Sequence, residues 1–200
     1  MDWDGLGQND AGVIFEHSEI KIDHAKEVQA RVDAILDNFD RYKGFGQLNG
    51  VPWFVVATLH QMEASGRFDC HLHNGDPLTA RTVRVPVGRP VAEPKGGVFP
   101  YTWEESAADA LKNYPPKPPV WDIGHALVYL EAYNGFGYRR KGVLSPYIWS
   151  FTTAYASGKF VADGVYDPAQ VSNQVGAAAI LKGLCGRNVI NPAWLPKLGT

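Results

Sequence analysis

Glu63 closes an otherwise apolar segment, VPWFVVATLHQME, and the helix breaker Ser65-Gly66 follows at once. A helix opening at Val51-Pro52 sets Val56, Leu59, His60 and Glu63 along one face, at spacings of three and four. A carboxylate there is expected to be partly buried, in the last turn, where the helix dipole is negative. Both effects disfavour the anion, which is how a general acid keeps its proton near neutral pH. The plainer reading of the same residue is a solvated helix end. Asp76 lies 13 residues downstream in the turn Asn74-Gly75-Asp76-Pro77, which can fold back over the helix end. Two carboxylates flanking a sugar–sugar bond are the equipment of glycoside hydrolysis, one as acid and one as base or nucleophile. An Asp before Pro also braces turns, so both roles stand open for Asp76.

His60, Glu63, His71, His73 and Asp76 make a metal-like collection, yet the pattern of two histidines four apart on a helix is absent. His71 and His73 flank Leu72, a spacing that suits one face of a strand. No metal or other cofactor is expected. The sequence also lacks a glycine-rich phosphate loop and the nucleophile elbow of the α/β-hydrolases. A second cluster, LEAYNGFGYRRKGVLSPYIWSFTTAYASGKF, is dense in rings. Tyr133 and Asn134 stand at a helix end made by the Asn134-Gly135 break, and Tyr138, Tyr147 and Trp149 follow. Rings and amides of this kind line sugar-binding grooves, where apolar sugar faces stack and polar groups orient them. Core packing and a helix cap account for the same residues equally well.

The elements that must position these groups follow from pattern. The first dozen residues are polar and glycine-rich, so residues 1–17 are expected to form a loose arm and 18–200 a single domain. One helix is expected from Ser18 to Tyr42, ended by Gly44 and Gly46, and the helix of Glu63 comes next. Phe68 to Pro90 reads as a long loop feeding a short strand or hairpin over Thr82–Val87, held to an edge by its prolines. Thr102 with Glu105 fits a capping box for a helix to about Tyr114. Pro115-Pro116-Lys117-Pro118-Pro119 reads as a stiff surface crossing within the domain. Helices over Trp121–Tyr133 and Pro146–Tyr155 follow, then a hairpin at Asp163-Gly164 and a last helix from Asp167-Pro168 to about Leu184. The expected fold class is α+β, mainly α, with one or two small β-hairpins.

Composition narrows the partners. The 200 residues are 45% hydrophobic and 12% aromatic, enough for a real core, and carry a formal charge of −2. No basic stripe is present to neutralise phosphates, so nucleic acid is not an expected partner. No run reaches membrane-spanning length, and MDWDGLGQND lacks the basic and apolar regions of a signal peptide. The chain is therefore expected to be made in the cytoplasm and not to bind membranes. Cys70 and Cys185, far apart, are expected to be free thiols.

Two segments carry a resemblance. HQMEASGRF resembles the part of the goose-type lysozyme and soluble lytic transglycosylase superfamily where a catalytic Glu ends a buried helix. Ala132-Tyr133-Asn134-Gly135 is similar to its later Ala-Tyr-Asn-Ala-Gly segment, which lines the cleft. More closely, Pro52 to Leu184, with LHNGDPL, FPYTWEESA, EAYNGFGYR, SPYIWS and KFVADG, resembles bacterial and phage proteins described as a lysozyme family, including endolysins. Ala64 between Glu63 and Ser65, and Gly135-Phe136 after Asn134, depart from the superfamily pattern and mark a distinct branch.

The resemblance implies a lysozyme-like helical domain, with its hairpins beside a cleft, that cuts the β-1,4 bond between N-acetylmuramic acid and N-acetylglucosamine. Glu63 would be the general acid, and Asp76 would position or activate water. Tyr133 and Asn134 would hold sugar rings, with Tyr138, Tyr147 and Trp149 as wall residues. The partner is the peptidoglycan glycan strand, met by a monomer that reaches the cell wall by phage-type release or another non-classical route. A lytic transglycosylase or a chitinase-like enzyme would share Glu63. A zinc peptidase or amidase, or a non-catalytic wall-binding or phage structural protein, are the readings from other classes.

Overall fold

The computed structural model describes residues 7–112 and 115–191. Among these, nine α-helices, one 3-10 turn and one two-stranded antiparallel sheet make an α+β fold that is mainly α. No helix among the described residues is long and apolar enough to cross a membrane. The chain divides into two compact units, one spanning residues 34–117, the other built from the residues before and after it. One division falls inside the proline run, the other inside helix α2 (Ala25–Leu36).

The unit of residues 34–117 is organised around α4 (Trp53–Ala64), flanked by α3 (Phe39–Asn49) and α5 (Trp103–Leu111). Pro52 precedes the first turn of α4, where a missing N–H costs nothing. Ten of the twelve residues of α4 are buried, so the helix is enclosed nearly all round and only Trp53 and Glu63 stay partly open. His60, fully buried, packs among Tyr42, Phe68 and Trp103 with ring centroids 4.6–5.8 Å away. The expected capping box on α5 forms: Glu105 N–H donates to Thr102 Oγ1, and Thr102 N–H donates back to Glu105 Oε2 at 2.7 Å. Tyr114, its expected end, lies outside the described residues.

Several expected elements differ. The single helix over 18–42 is a 3-10 turn (Ile22–His24), α2 and α3, broken at Asp37-Asn38. There Asn38 Nδ2 takes the Ala34 carbonyl at 3.0 Å, and the Asn38 backbone N–H tightens onto Ile35. Gly46 lies inside α3 instead of ending it: a Cβ there would meet the Val51 carbonyl at 2.5 Å, so this glycine lets the chain entering α4 pass close by. Residues 82–87 form no strand. The Val83 and Arg84 amides, which a ladder needs, donate to Asp76 instead.

In the other unit α6 (Ile123–Asn134) is the buried helix, opened by Asp122 accepting from His125 N–H at 2.7 Å. Against it pack α1 (Gln8–His17) and α8 (Pro146–Trp149), and α9 (Ala177–Gly186) packs on both α6 and α8. The short α7 (Gly137–Arg140) leads on from α6. Strands β1 (Lys159–Ala162) and β2 (Val165–Asp167) form the expected hairpin, with Phe160 opposite Tyr166 and a bulge before Ala162. The last helix starts at Ala177, ten residues later than expected from Asp167. The Asp167 carboxylate closes a local turn on Ala169 N–H, and Ser172 N–H goes to the Tyr155 hydroxyl, so neither amide enters a helix.

Residues 8–17 correct the expectation of an arm, while residues 1–6 lie outside the described part. Ala11, Ile14 and Phe15 recur at helical spacing, and Ala11 and Phe15 are buried in the seam with α6. The Lys182 ammonium sits 4.4 Å from the Phe15 ring. A loose arm would tolerate loss of that ring. Phe15→Ala is instead expected to destabilise this unit by about 3 kcal/mol, the usual cost of emptying a buried aromatic site, measured as a lowered thermal midpoint; an unchanged midpoint would return α1 to the status of an appendage.

Candidate functional site

Where α4 stops decides where Glu63 stands. Ser65 turns into the left-handed region (φ 53°), and both its N–H and that of Gly66 fold back onto the His60 carbonyl. The His60 ring completes the closure: Nε2–H donates to the Arg67 carbonyl at 2.9 Å and Nδ1 accepts from the Tyr42 hydroxyl at 2.8 Å. A carbonyl can only accept, so this pairing fixes the neutral tautomer. Burial in the aromatic cluster agrees with it and pushes the imidazole down to about 4, despite the Arg67 hydrogen bond. Glu63 thereby occupies the last turn, the single acid on a helix of otherwise apolar or neutral residues, and partly open.

The turn of residues 71–76 does fold over that end. His71 N–H donates to the Asp76 carbonyl at 2.7 Å, and Gly75 N–H to the His71 carbonyl at 2.9 Å. Gly75 has φ +72° and lies so close that a Cβ would meet the Glu63 carbonyl oxygen at 2.5 Å. Chain geometry thus brings the Asn-Gly-Asp turn onto the backbone of Glu63.

The Asp76 side chain is spent on the loop beyond it. Oδ2 accepts from Val83 and Arg84 N–H at 2.9 and 3.0 Å, and Oδ1 accepts from Arg84 Nε at 2.6 Å. Burial pushes this carboxyl up, but those donors and the Arg84 charge outweigh it and hold it at about 2. This geometry is that of a brace.

The histidines are likewise tied to the frame. His71 donates from Nε2 to the Ala80 carbonyl at 2.7 Å, so its Nδ1, 2.8 Å from Ser106 Oγ, accepts a hydrogen bond from that hydroxyl. His73 Nε2 lies 3.0 Å from Asp109 Oδ2, which Arg89 also reaches at 2.9 Å. Burial pushes His73 down to about 4, against the pull of Asp109. The Ser-His-Asp order has the look of a nucleophilic triad, but Ser106 is fully buried and closest to the other histidine. Among the described residues no group of three or more His, Cys, Asp or Glu converges as metal ligands. Cys70 and Cys185 are both free thiols.

Tyr133, Asn134, Tyr138, Tyr147 and Trp149 all belong to the other unit. Asn134 is exposed at the C-terminus of α6, with Tyr133 half-buried beside it, and Gly135 turns the chain with φ 94°. The Tyr138 hydroxyl accepts from Phe160 N–H at 3.0 Å, and Tyr138, Phe160 and Tyr166 form one edge-to-face cluster on the hairpin. Tyr147 is half-buried on α8, and Trp149 is 4% exposed. Sequence reasoning passed over Glu131 and Arg139, which form a salt bridge with the carboxylate buried on α6. The signal was present in GHALVYLEAY, a lone acid inside an apolar helix, as with Glu63. Comparison with protein-family models, curated proteins and solved structures finds no match.

Two outcomes follow. Gly75→Ala forces a side chain into the Glu63 carbonyl at a positive φ, so a loss of about 2 kcal/mol or more is expected in denaturant unfolding. Acid should loosen the unit of residues 34–117 in a set order. His60 and His73 have ordinary values of 6.5 lowered to about 4 in the fold, so the unfolded chain takes up their protons first. Their stabilisation is complete above pH 6.5 and lost as pH falls to about 4; that of Asp76 goes between 3.8 and about 2. Thermal midpoints that stay flat from pH 7 to 4 would refute the buried neutral imidazoles.

Proposed function

We propose that the protein cleaves the β-1,4 bond between N-acetylmuramic acid and N-acetylglucosamine in peptidoglycan strands, with Glu63 as the general acid. The observation that carries this reading is the position of Glu63: the one acid on α4, in the last turn of a helix otherwise enclosed, left partly open. A carboxyl so placed can act as the donor to the leaving glycosidic oxygen. The resemblance of HQMEASGRF and AYNG to the goose-type lysozyme and lytic transglycosylase superfamily supplies the substrate class. In this reading Tyr133 and Asn134, at an exposed helix end, orient sugar rings, with Tyr138 and Tyr147 as further ring contacts.

The part of Asp76 is structural. Its oxygens already accept three protein donors, and a carboxyl held near pKa 2 is a weak base for water. That observation favours a second reading of the same cut. A lytic transglycosylase lets the substrate's own C6 hydroxyl attack and needs one acid, whereas an inverting hydrolase needs a second carboxylate some 6.5–9.5 Å from the first, free to hold water.

Glu63→Gln keeps shape and removes the acid. We expect it to lower the rate of peptidoglycan solubilisation at least 100-fold, the usual scale of general acid catalysis, with little change in thermal midpoint. Wild-type release at the same rate from the variant would end the assignment. Mass spectrometry of wild-type products separates the two readings: 1,6-anhydromuramic ends mean transglycosylation, reducing ends mean hydrolysis.

A further inference from the structure

Val83, Val85 and Val87 are 76, 84 and 66% exposed. Single exposed valines are ordinary, but three at alternate positions in one short turn make an apolar patch. The turn is closed at its neck. Thr82 N–H donates to the Arg89 carbonyl and Gly88 N–H to the Thr82 carbonyl, both at 2.8 Å, and Thr82 itself is buried. Residues 83–87 are all exposed, so they stand out from that neck as a lobe on the unit of residues 34–117.

The backbone of the lobe is tied off from within. Val83 and Arg84 N–H donate to Asp76, and Arg89 N–H donates to Thr82 Oγ1 at 2.9 Å. Thr82 Oγ1 in turn donates to the Pro86 carbonyl, Asn74 Nδ2 donates to the Arg84 carbonyl at 3.0 Å, and Pro86 has no N–H to place. A partner that adds a strand needs the free amides of an edge, and Val83 and Arg84 have spent theirs. A lobe of this size also falls well short of the roughly 20–30 residues a side that a stable protein–protein interface uses. Backbone that meets lipid must bring its hydrogen bonds with it, and the ties listed above do that for most of the lobe's amides.

Charge selects the kind of surface. Residues 81–99 carry Arg81, Arg84, Arg89 and Lys95 against Glu93 alone, and Glu93 is paired with Arg81 at 2.6 Å. The carboxylates of Asp76 and Asp109, which hold Arg84 and Arg89, lie beneath, and Glu105 is turned to the Thr102 and Lys95 amides. The Arg84 side chain, by contrast, is 65% exposed between two of the valines. The outward face is thus apolar and cationic, with most of its carboxylates behind it. We propose that this lobe docks the protein on an anionic lipid surface. The valines enter the headgroup layer, and Arg84 keeps its guanidinium at the lipid phosphates. Three valines alone hold a protein weakly, so apolar contact and charge act together. Such contact needs no spanning helix, so the lack of one among the described residues does not oppose it.

Co-sedimentation of the full chain with vesicles tests this, using phosphatidylcholine alone and phosphatidylcholine mixed with phosphatidylglycerol. Binding is expected to the mixed vesicles, about tenfold or more weaker to the neutral ones, and reduced by high salt. Val85→Asp should weaken binding to mixed vesicles by about tenfold or more with an unchanged thermal midpoint, because the side chain it replaces meets mainly water. Val85→Trp should strengthen it. Failure of both the wild type and Val85→Trp to sediment with mixed vesicles would overturn the proposal. So would wild-type binding by Val85→Asp, which would leave a contact of charge alone. Self-association in analytical ultracentrifugation that Val85→Asp abolishes would give the lobe to a second copy and overturn it as well. Glu63 takes no part, so Glu63→Gln should bind vesicles as the wild type does, and the proposed cleavage and this docking fail or stand separately.

Discussion

Everything around Glu63 depends on how α4 ends. A helix buried on nearly every side cannot fade into solvent; its last carbonyls need partners within the protein. The chain supplies them by reversing hard at Ser65-Gly66, so that two amides return to the His60 carbonyl, and by using the His60 ring to hold Arg67 beyond the reversal. Gly75 then lies against the Glu63 carbonyl, at a distance that excludes any side chain. The result fixes an acid in the last turn while leaving its side chain partly open. The closing hydrogen bonds are made by backbone and by a neutral imidazole, and the Arg67 guanidinium adds a positive charge there, its Nε donating to the Ala64 carbonyl at 3.4 Å.

The long loop that follows is held by polar groups where a strand would be held by a ladder. Asp76 collects two amides and a guanidinium; His71 reaches Ser106 and Ala80; Asp109 receives His73 and Arg89. Each of these anchors is a buried or half-buried group whose loss leaves its partners unmatched, which costs more than the hydrogen bond itself contributes. Irregular backbone can therefore be fixed with little apolar burial, and Val83, Val85 and Val87 stay exposed along it. A turn that must press on a helix end benefits from this construction, since one bend in such a loop does not have to obey a sheet register.

The helices that bury themselves were legible in the sequence, and the anchors were not. The apolar run before Glu63, the capping box at Thr102, the Asp163-Gly164 hairpin and the break after Asn134 all signal locally, through spacing and turn chemistry, and the structure has them. The break at Asp37-Asn38, the absence of a strand at 82–87 and the late start of α9 turn on a side chain taking a backbone group some distance away. Asn38 caps Ala34, Asp76 takes the amides of Val83 and Arg84, and the Tyr155 hydroxyl accepts from Ser172. Periodicity carries no trace of such theft. In α1 the error was of another kind: glycine and acid near the terminus outweighed an Ala11-Ile14-Phe15 face that composition alone obscures.

Glu63 and Glu131 show how far one signal reaches. Each is the single acid in a helix apolar enough to be buried nearly all round, α4 in one unit and α6 in the other, and sequence treats them alike. What separates them is burial and the chain that follows each helix. Glu131 sits three residues before the end of α6, buried, where the chain returning through α7 brings Arg139 to it. There the carboxylate is paired with a guanidinium. Glu63 sits in the last turn of α4, partly open and at the negative end of the helix dipole. The residue that ends the helix, Gly135 in one case and Ser65 in the other, follows the acid by four residues and by two.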